Sequence, residues 1–157
     1  MPRPLPERNI ERVKALGGGI AVQHRMAFQG EYFVDRYGKE AVKHTPPVAK
    51  MLALDVPVGL GTDATRVASY NPWTALYWLV SGRTVGGMAM YDDANRLPRD
   101  VALELWTAGS AWFSSEQGKK GRLGRPVSLP IWWCCRKDYF SVAEEEIKGI
   151  ESVLTVG

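Results

Sequence analysis

Val56-Pro57-Val58-Gly59-Leu60-Gly61-Thr62-Asp63-Ala64 is an apolar run that stops abruptly at polar residues. Val56 to Gly61 is too short for a helix and closes on glycine, which predicts a strand buried on both faces. Just upstream, Thr45-Pro46-Pro47 is a helix start, since proline is tolerated in the first turn, and Val48 to Leu54 follows as a short helix. The same order occurs once more, earlier in the chain. Glu7 to Leu16 places Ile10, Val13 and Leu16 on one face at three-residue steps, and Gly17-Gly18-Gly19 stops it. Ile20-Ala21-Val22-Gln23 is then a second short apolar strand. A helix, a stop and a buried strand, repeated, is the αβ step of a parallel sheet.

Downstream of Asp63 the pattern becomes helical. Pro72 to Ser81 carries Trp73, Leu76, Tyr77 and Val80 at helical spacing. Arg99 to Trp112 sets Val101, Ala102, Leu105, Trp106, Gly109 and Trp112 along one face. The predicted class is α/β. Only two βα units are visible, and two strands cannot make a sheet buried on both faces. The chain is therefore expected to be part of a larger parallel sheet. No internal repeat or low-complexity tract interrupts it.

Composition narrows the partners. The chain has 157 residues, 45% of them apolar and 24% charged, with a formal charge of +3. That is ordinary globular composition, enough for one domain with a core. Lys and Arg are dispersed, which argues against nucleic acid. No apolar run is long enough for a membrane span, and Met1-Pro2-Arg3-Pro4-Leu5-Pro6 has no signal-peptide core, so a cytoplasmic location is expected. Cys134 and Cys135 are adjacent and match neither a disulfide framework nor zinc-finger spacing. They read as small hydrophobes of a strand.

Three places carry groups suited to chemistry. Asp63 stands just past the C-terminal end of its strand, on a loop flanked by Gly59 and Gly61. In parallel α/β folds catalytic groups collect at that end, and a carboxylate there binds a metal or takes a proton from metal-bound water. The plainer reading is a loop aspartate capping the next turn. His24 follows the other strand, with Arg25 beside it as a clamp for an anionic group. Its plainer reading is a histidine held by a backbone partner. The loop from Arg66 to Trp73 mixes polar and aromatic residues and suits a substrate, yet it equally suits a connection in which Asn71 caps the helix at Pro72. His44, before the double proline, reads as a surface residue.

In their order, these segments resemble the amidohydrolase superfamily. Residues Val56 to Ala64 followed by Tyr70-Asn71-Pro72-Trp73 resemble its eighth-strand region, and Gly19-Ile20-Ala21-Val22-Gln23-His24-Arg25-Met26 its seventh strand, in the branch that contains N-substituted formamide deformylases. Asp100 to Trp112, with Gly118 to Leu123 after it, resembles the last barrel helix and the return to a small β domain. Asp138 to Val142 and Glu145 to Val156 resemble the family tail. The resemblance implies a (β/α)8 TIM barrel, of which this chain holds the last strands and helices in residues 1–120, with 121–157 forming part of a small β-sandwich domain. It implies a divalent metal, zinc in the complete enzyme, whose hydroxide attacks an amide or formamide-like carbon. Asp63 then takes the role of metal ligand or proton shuttle, and His24, Arg25, Arg66 and Asn71 that of substrate contacts.

The departures weigh as much as the matches. The family's His-x-His pair, its lysine or glutamate bridge and its two further histidines have no counterpart here. A catalytic zinc generally takes three protein ligands, and Asp63 alone would hold one feebly. This fragment is therefore expected to bind no metal and to be inactive by itself. Leu129-Pro130-Ile131-Trp132-Trp133-Cys134-Cys135-Arg136 also stands where the family has a strand like Ala-Asp-Leu-Val-Val-Leu-Ser. One codon spelling that the genetic code permits for Leu129 to Cys135, CTGCCGATCTGGTGGTGCTGTCG, gives that family strand when read two bases on, so compensating frameshifts across about residues 122–137 are expected. An N-terminal partner chain or self-association would complete the sheet. The alternatives are the C-terminal half of a split hydrolase, and a non-catalytic binding module whose tryptophans build a core or a partner surface.

Overall fold

The computed structural model describes residues 6–64, 68–121 and 131–156, without the side chains of 131–134 and 153–156. The segment 122–130, which holds most of the expected frameshift, lies outside the described residues, as does Arg66.

Helix α1 (Glu7–Ala15) buries Ile10 and ends at Gly17, whose φ of 71° no other residue type adopts cheaply. Strand β1 (Ile20–Gln23) follows, then α2 (Met26–Tyr37), α3 (Lys39–Val42), α4 (Val48–Ala53) and β2 (Val58–Gly61). β1 and β2 pair in parallel, with Ile20 opposite Val58 and Gln23 opposite Gly61. The α/β expectation is met, and β1 has the bounds its sequence predicts. β2 begins two residues later than expected. The Val56 amide is spent on the Met51 carbonyl, and Pro57 has no amide to give, so the ladder starts at Val58.

Helix α2 has no counterpart among the sequence expectations. Gly30 in its middle permits close packing. A Cβ at Gly30 would lie 2.0 Å from Met90 Sδ and 2.9 Å from Thr84 Cγ2. One face of the β1–β2 pair, bearing Val22, Val58 and Leu60, is buried with Ile10, Val48 and Met51 in the same core.

Helix α5 (Pro72–Ser81) has the predicted bounds. Asn71 caps it by accepting the Trp73 amide at 2.9 Å, with proline at the first helical position. Every residue from Trp73 to Ser81 is buried, so this helix is apolar all round and runs through the centre of the core. Trp73 and Trp78 are core residues, while Trp106 and Trp112 are half-buried, which favours packing over a partner surface for the tryptophans.

The long helix expected from Arg99 to Trp112 is one helical stretch in three parts. It runs as α6 (Arg99–Glu104), a π-helical turn over Leu105–Gly109, and α7 (Ser110–Phe113). Strands β3 (Ile131–Cys135) and β4 (Ser152–Val156) form a separate antiparallel pair. Between them a 3-10 turn, Glu144–Gly149, lies along α5. Tyr77 donates to both carboxylate oxygens of Glu145 at 3.0 Å, and the Trp73 indole donates to Ser152 Oγ at 3.2 Å. Arg99 fastens the same region by donating to the Tyr139 and Val142 carbonyls.

Candidate functional site

Register builds the site. Because Gln23 stands opposite Gly61, the next residues, His24 on one strand and Thr62 and Asp63 on the other, leave the sheet together at its C-terminal end. That is the end at which parallel folds gather reactive groups.

His24 is fully buried. Its ring lies edge-on to Phe28, with centroids 5.4 Å apart, a contact supplied by the first turn of α2. Among the described residues neither Nδ1 nor Nε2 has a hydrogen-bond partner of regular geometry. Burial lowers the imidazole pKa, and the Gly61 backbone nearby offsets part of that effect. The ring is thus a neutral imidazole at pH 7, with one nitrogen able to donate and the other to accept. The plain reading, a histidine held by a backbone partner, has its candidate in Gly61, although that contact falls short of regular hydrogen-bond geometry.

Asp63 differs in every respect. It is exposed, and its φ of 53° puts it in the left-handed region, which aspartate tolerates better than most residues. Beside it, Thr62 Oγ1 accepts the Ala64 amide at 3.2 Å and shapes the loop. Arg25 is exposed at the start of α2. Asn71 is engaged at both ends, since its amide nitrogen also donates to the Lys148 carbonyl at 3.4 Å. Its capping role is therefore plain in the structure. His44 is on the surface. Sequence reasoning passed over Phe28, because the helix that carries it was not anticipated.

Metal ions need several such groups converging. Among the described residues no group of three or more His, Cys, Asp or Glu side chains is placed to hold one. The described residues therefore do not by themselves make a metal site. Elsewhere, a cleft of about 350 Å³ beside Val80, Arg96 and Arg99 contains none of the residues above. Its Arg96 is tied to the Val80 carbonyl, Asp93 and Glu144. No helix among the described residues is long and apolar enough to cross a membrane.

Comparison with known proteins gives a consistent picture. A family model described as the amidohydrolase family matches residues 3–156. The chain is similar to an uncharacterized metal-dependent hydrolase from Pyrococcus horikoshii OT3, at 26% identity and a TM-score of 0.62, over 77% of this chain and 25% of that one. It shares its fold with an uncharacterized metal-dependent hydrolase from Pyrococcus furiosus, at 24% identity and a TM-score of 0.63, over 80% of this chain and 25% of that one. The chain thus spans about a quarter of the length of each. No curated protein matches it.

Proposed function

The chain belongs to the amidohydrolase family, and from that premise we propose that it is the C-terminal portion of a metal-dependent hydrolase acting on C–N bonds of amide or formamide-like substrates. The branch is the one containing N-substituted formamide deformylases. The observation that carries this reading is the β1–β2 register, which sets His24 and Asp63 at one end of a parallel pair. In the complete enzyme the sheet is a (β/α)8 barrel, with residues 1–120 supplying its last strands and 121–157 part of a small β-sandwich domain.

Asp63, exposed at the strand end, is the metal-binding or proton-accepting carboxylate. His24, neutral and without a hydrogen bond of regular geometry among the described residues, faces the substrate's polar atoms. Arg25, Arg66 and Asn71 are the proposed substrate contacts, Asn71 in addition to its cap on α5. The divalent metal, zinc, belongs to the complete enzyme. The described residues supply too few ligands for it, so no hydrolytic step is assigned to these residues alone.

The test is metal content and turnover of the purified chain. Elemental analysis across a sizing column, with zinc supplied, is expected to find far less than one metal per chain and no hydrolysis of N-substituted formamides above buffer. About one zinc per chain with turnover would overturn the fragment reading and leave the hydrolase reading standing. In an assembled enzyme, Asp63→Asn is expected to remove turnover by at least about 100-fold. Unchanged turnover in that variant would remove Asp63 from the chemistry.

A further inference from the structure

A histidine that meets a substrate must be reachable, yet His24 is 0% exposed. What covers it therefore decides whether the strand end can take a ligand at all.

The main chain around His24 is fixed. Its carbonyl accepts the Ala27 amide at 2.9 Å, and the Arg25 carbonyl accepts the amides of Phe28 and Gln29 at 3.1 and 3.0 Å. The Ala27 carbonyl accepts the Val85 amide at 2.8 Å, which ties the first turn of α2 to the turn after Thr84. Moving this backbone to uncover the imidazole would break several of these bonds together.

The cover is a side chain. Phe28 meets the imidazole edge-on, with the two rings 67° apart. Unlike His24, Phe28 is 41% exposed, so one part of its ring lies on the imidazole and the rest in water. Its helix neighbours Arg25, Gln29 and Tyr32 are exposed too, whereas Ala27 and Gly30 are buried. On the side of α2, the phenyl ring is thus the layer that parts His24 from solvent. Long side chains in helices have two common χ1 states, so rotation about that one bond swings the ring away. Such rotations at exposed positions take picoseconds to nanoseconds, and a ring already partly in water loses little shelter by turning.

We propose that Phe28 is a gate on His24: closed, as in this structure, its ring bars ligands from the imidazole, and turned outward it admits a small uncharged polar group. The group is uncharged because a neutral imidazole offers one donor and one acceptor, as an amide requires, and brings no charge to offset that of an anion. The Gly61 backbone, the other neighbour of the imidazole, belongs to β2 and has no part in the movement. The gate rests on the proposed hydrolase reading for the identity of what enters, while its construction is a matter of packing alone.

Diethyl pyrocarbonate is the probe. It acylates an unprotonated imidazole nitrogen with loss of ethanol and carbon dioxide. The chain has two histidines, and exposed His44 serves as the internal standard. Peptide mass spectrometry at pH 7 reads both rates, each divided by the rate of the same histidine in urea. His24 is expected to react at least about 10-fold more slowly than His44, because the closed state dominates. Phe28→Ala is expected to speed His24 at least about 10-fold, with His44 and the circular dichroism unchanged. Phe28→Leu keeps apolar bulk at the position and is expected to speed it about 3-fold. Tyr32→Ala removes an exposed ring one turn further along and is expected to leave His24 slow.

Three results would overturn the gate: His24 as reactive as His44 in the native chain, no acceleration in either Phe28 variant, or equal acceleration in Tyr32→Ala. The last would mean that α2 opens as a unit. If Phe28→Ala does not fold, the Phe28→Leu rate decides alone. Metal content and turnover do not enter these rates. A failed gate therefore leaves the hydrolase reading standing, and an assembled protein that hydrolyses no amide leaves the gate standing.

Discussion

His24 is held in a state that folding resists. A buried polar group without a partner costs about 1–3 kcal/mol, and on His24 only the Gly61 backbone offsets that cost, without a bond of regular geometry at either nitrogen. Its cost also depends on pH. Burial lowers its pKa below 6.5, so below that pH the unfolded imidazole takes up a proton that the buried one refuses. Above pH 6.5 both states are neutral and the term vanishes. Stability is therefore expected to fall as pH drops from 7.5 toward 5.5, and the fall should be shallower in His24→Phe. Urea midpoints of the two proteins at both pH values check this, and parallel pH dependences would show that His24 titrates freely. The sequence put His24 at a strand end but gave no sign of its burial. That burial comes from β1 packing inward and from Phe28 on α2, a helix absent from the sequence expectations.

The segments that read well are those in which local pattern and final burial agree. β1 and α5 have the bounds their sequences predict, because each is closed by an unambiguous signal: glycines before β1, Asn71-Pro72 before α5 and Gly82 in the left-handed conformation after it. The helix from Arg99 onward reads less well. Its apolar face predicts one regular helix, whereas the structure inserts a π turn over Leu105–Gly109. The reason is tertiary: the turn carries Gly109 and Ser110 onto the β2 carbonyls, a demand no local pattern expresses. Gly109→Ala is accordingly expected to destabilise the fold by about 1–3 kcal/mol, since the new methyl meets backbone that cannot yield. Ala108→Gly, one residue earlier, should cost no more than about 1 kcal/mol through helix propensity. Thermal melts separate them, and equal losses would mean that the Val58 contact is not what holds the turn.

Although the described residues hold two separate strand pairs, they share one core. The turn between β3 and β4 lies against α5, and Tyr77, Trp73 and Arg99 each bond across that junction. Unfolding in urea is expected to be a single transition, with tryptophan fluorescence and circular dichroism superimposing. Two transitions would show that the C-terminal segment detaches first. The same paired arrangement explains the limits of the sequence reading for the candidate site. Asp63 and His24 were found separately, each as a polar residue past an apolar run, and the register that unites them was implicit in the αβ order. The remaining partners were not legible, since neighbours that a two-stranded pair calls for cannot be written in its own two strands.

Helix α5 also bears on how the chain is made. All its residues from Trp73 to Ser81 are buried, in part beneath Tyr139, Ile147 and Ile150. A ribosome adds about 5–20 residues per second, so the roughly 60 residues between the helix and its cover take on the order of 3–12 seconds to appear. For that interval α2, β2 and α6 can already pack on α5, but the side that Glu144–Gly149 covers stays bare. A translation pause placed before residue 139 would lengthen the exposure of that side.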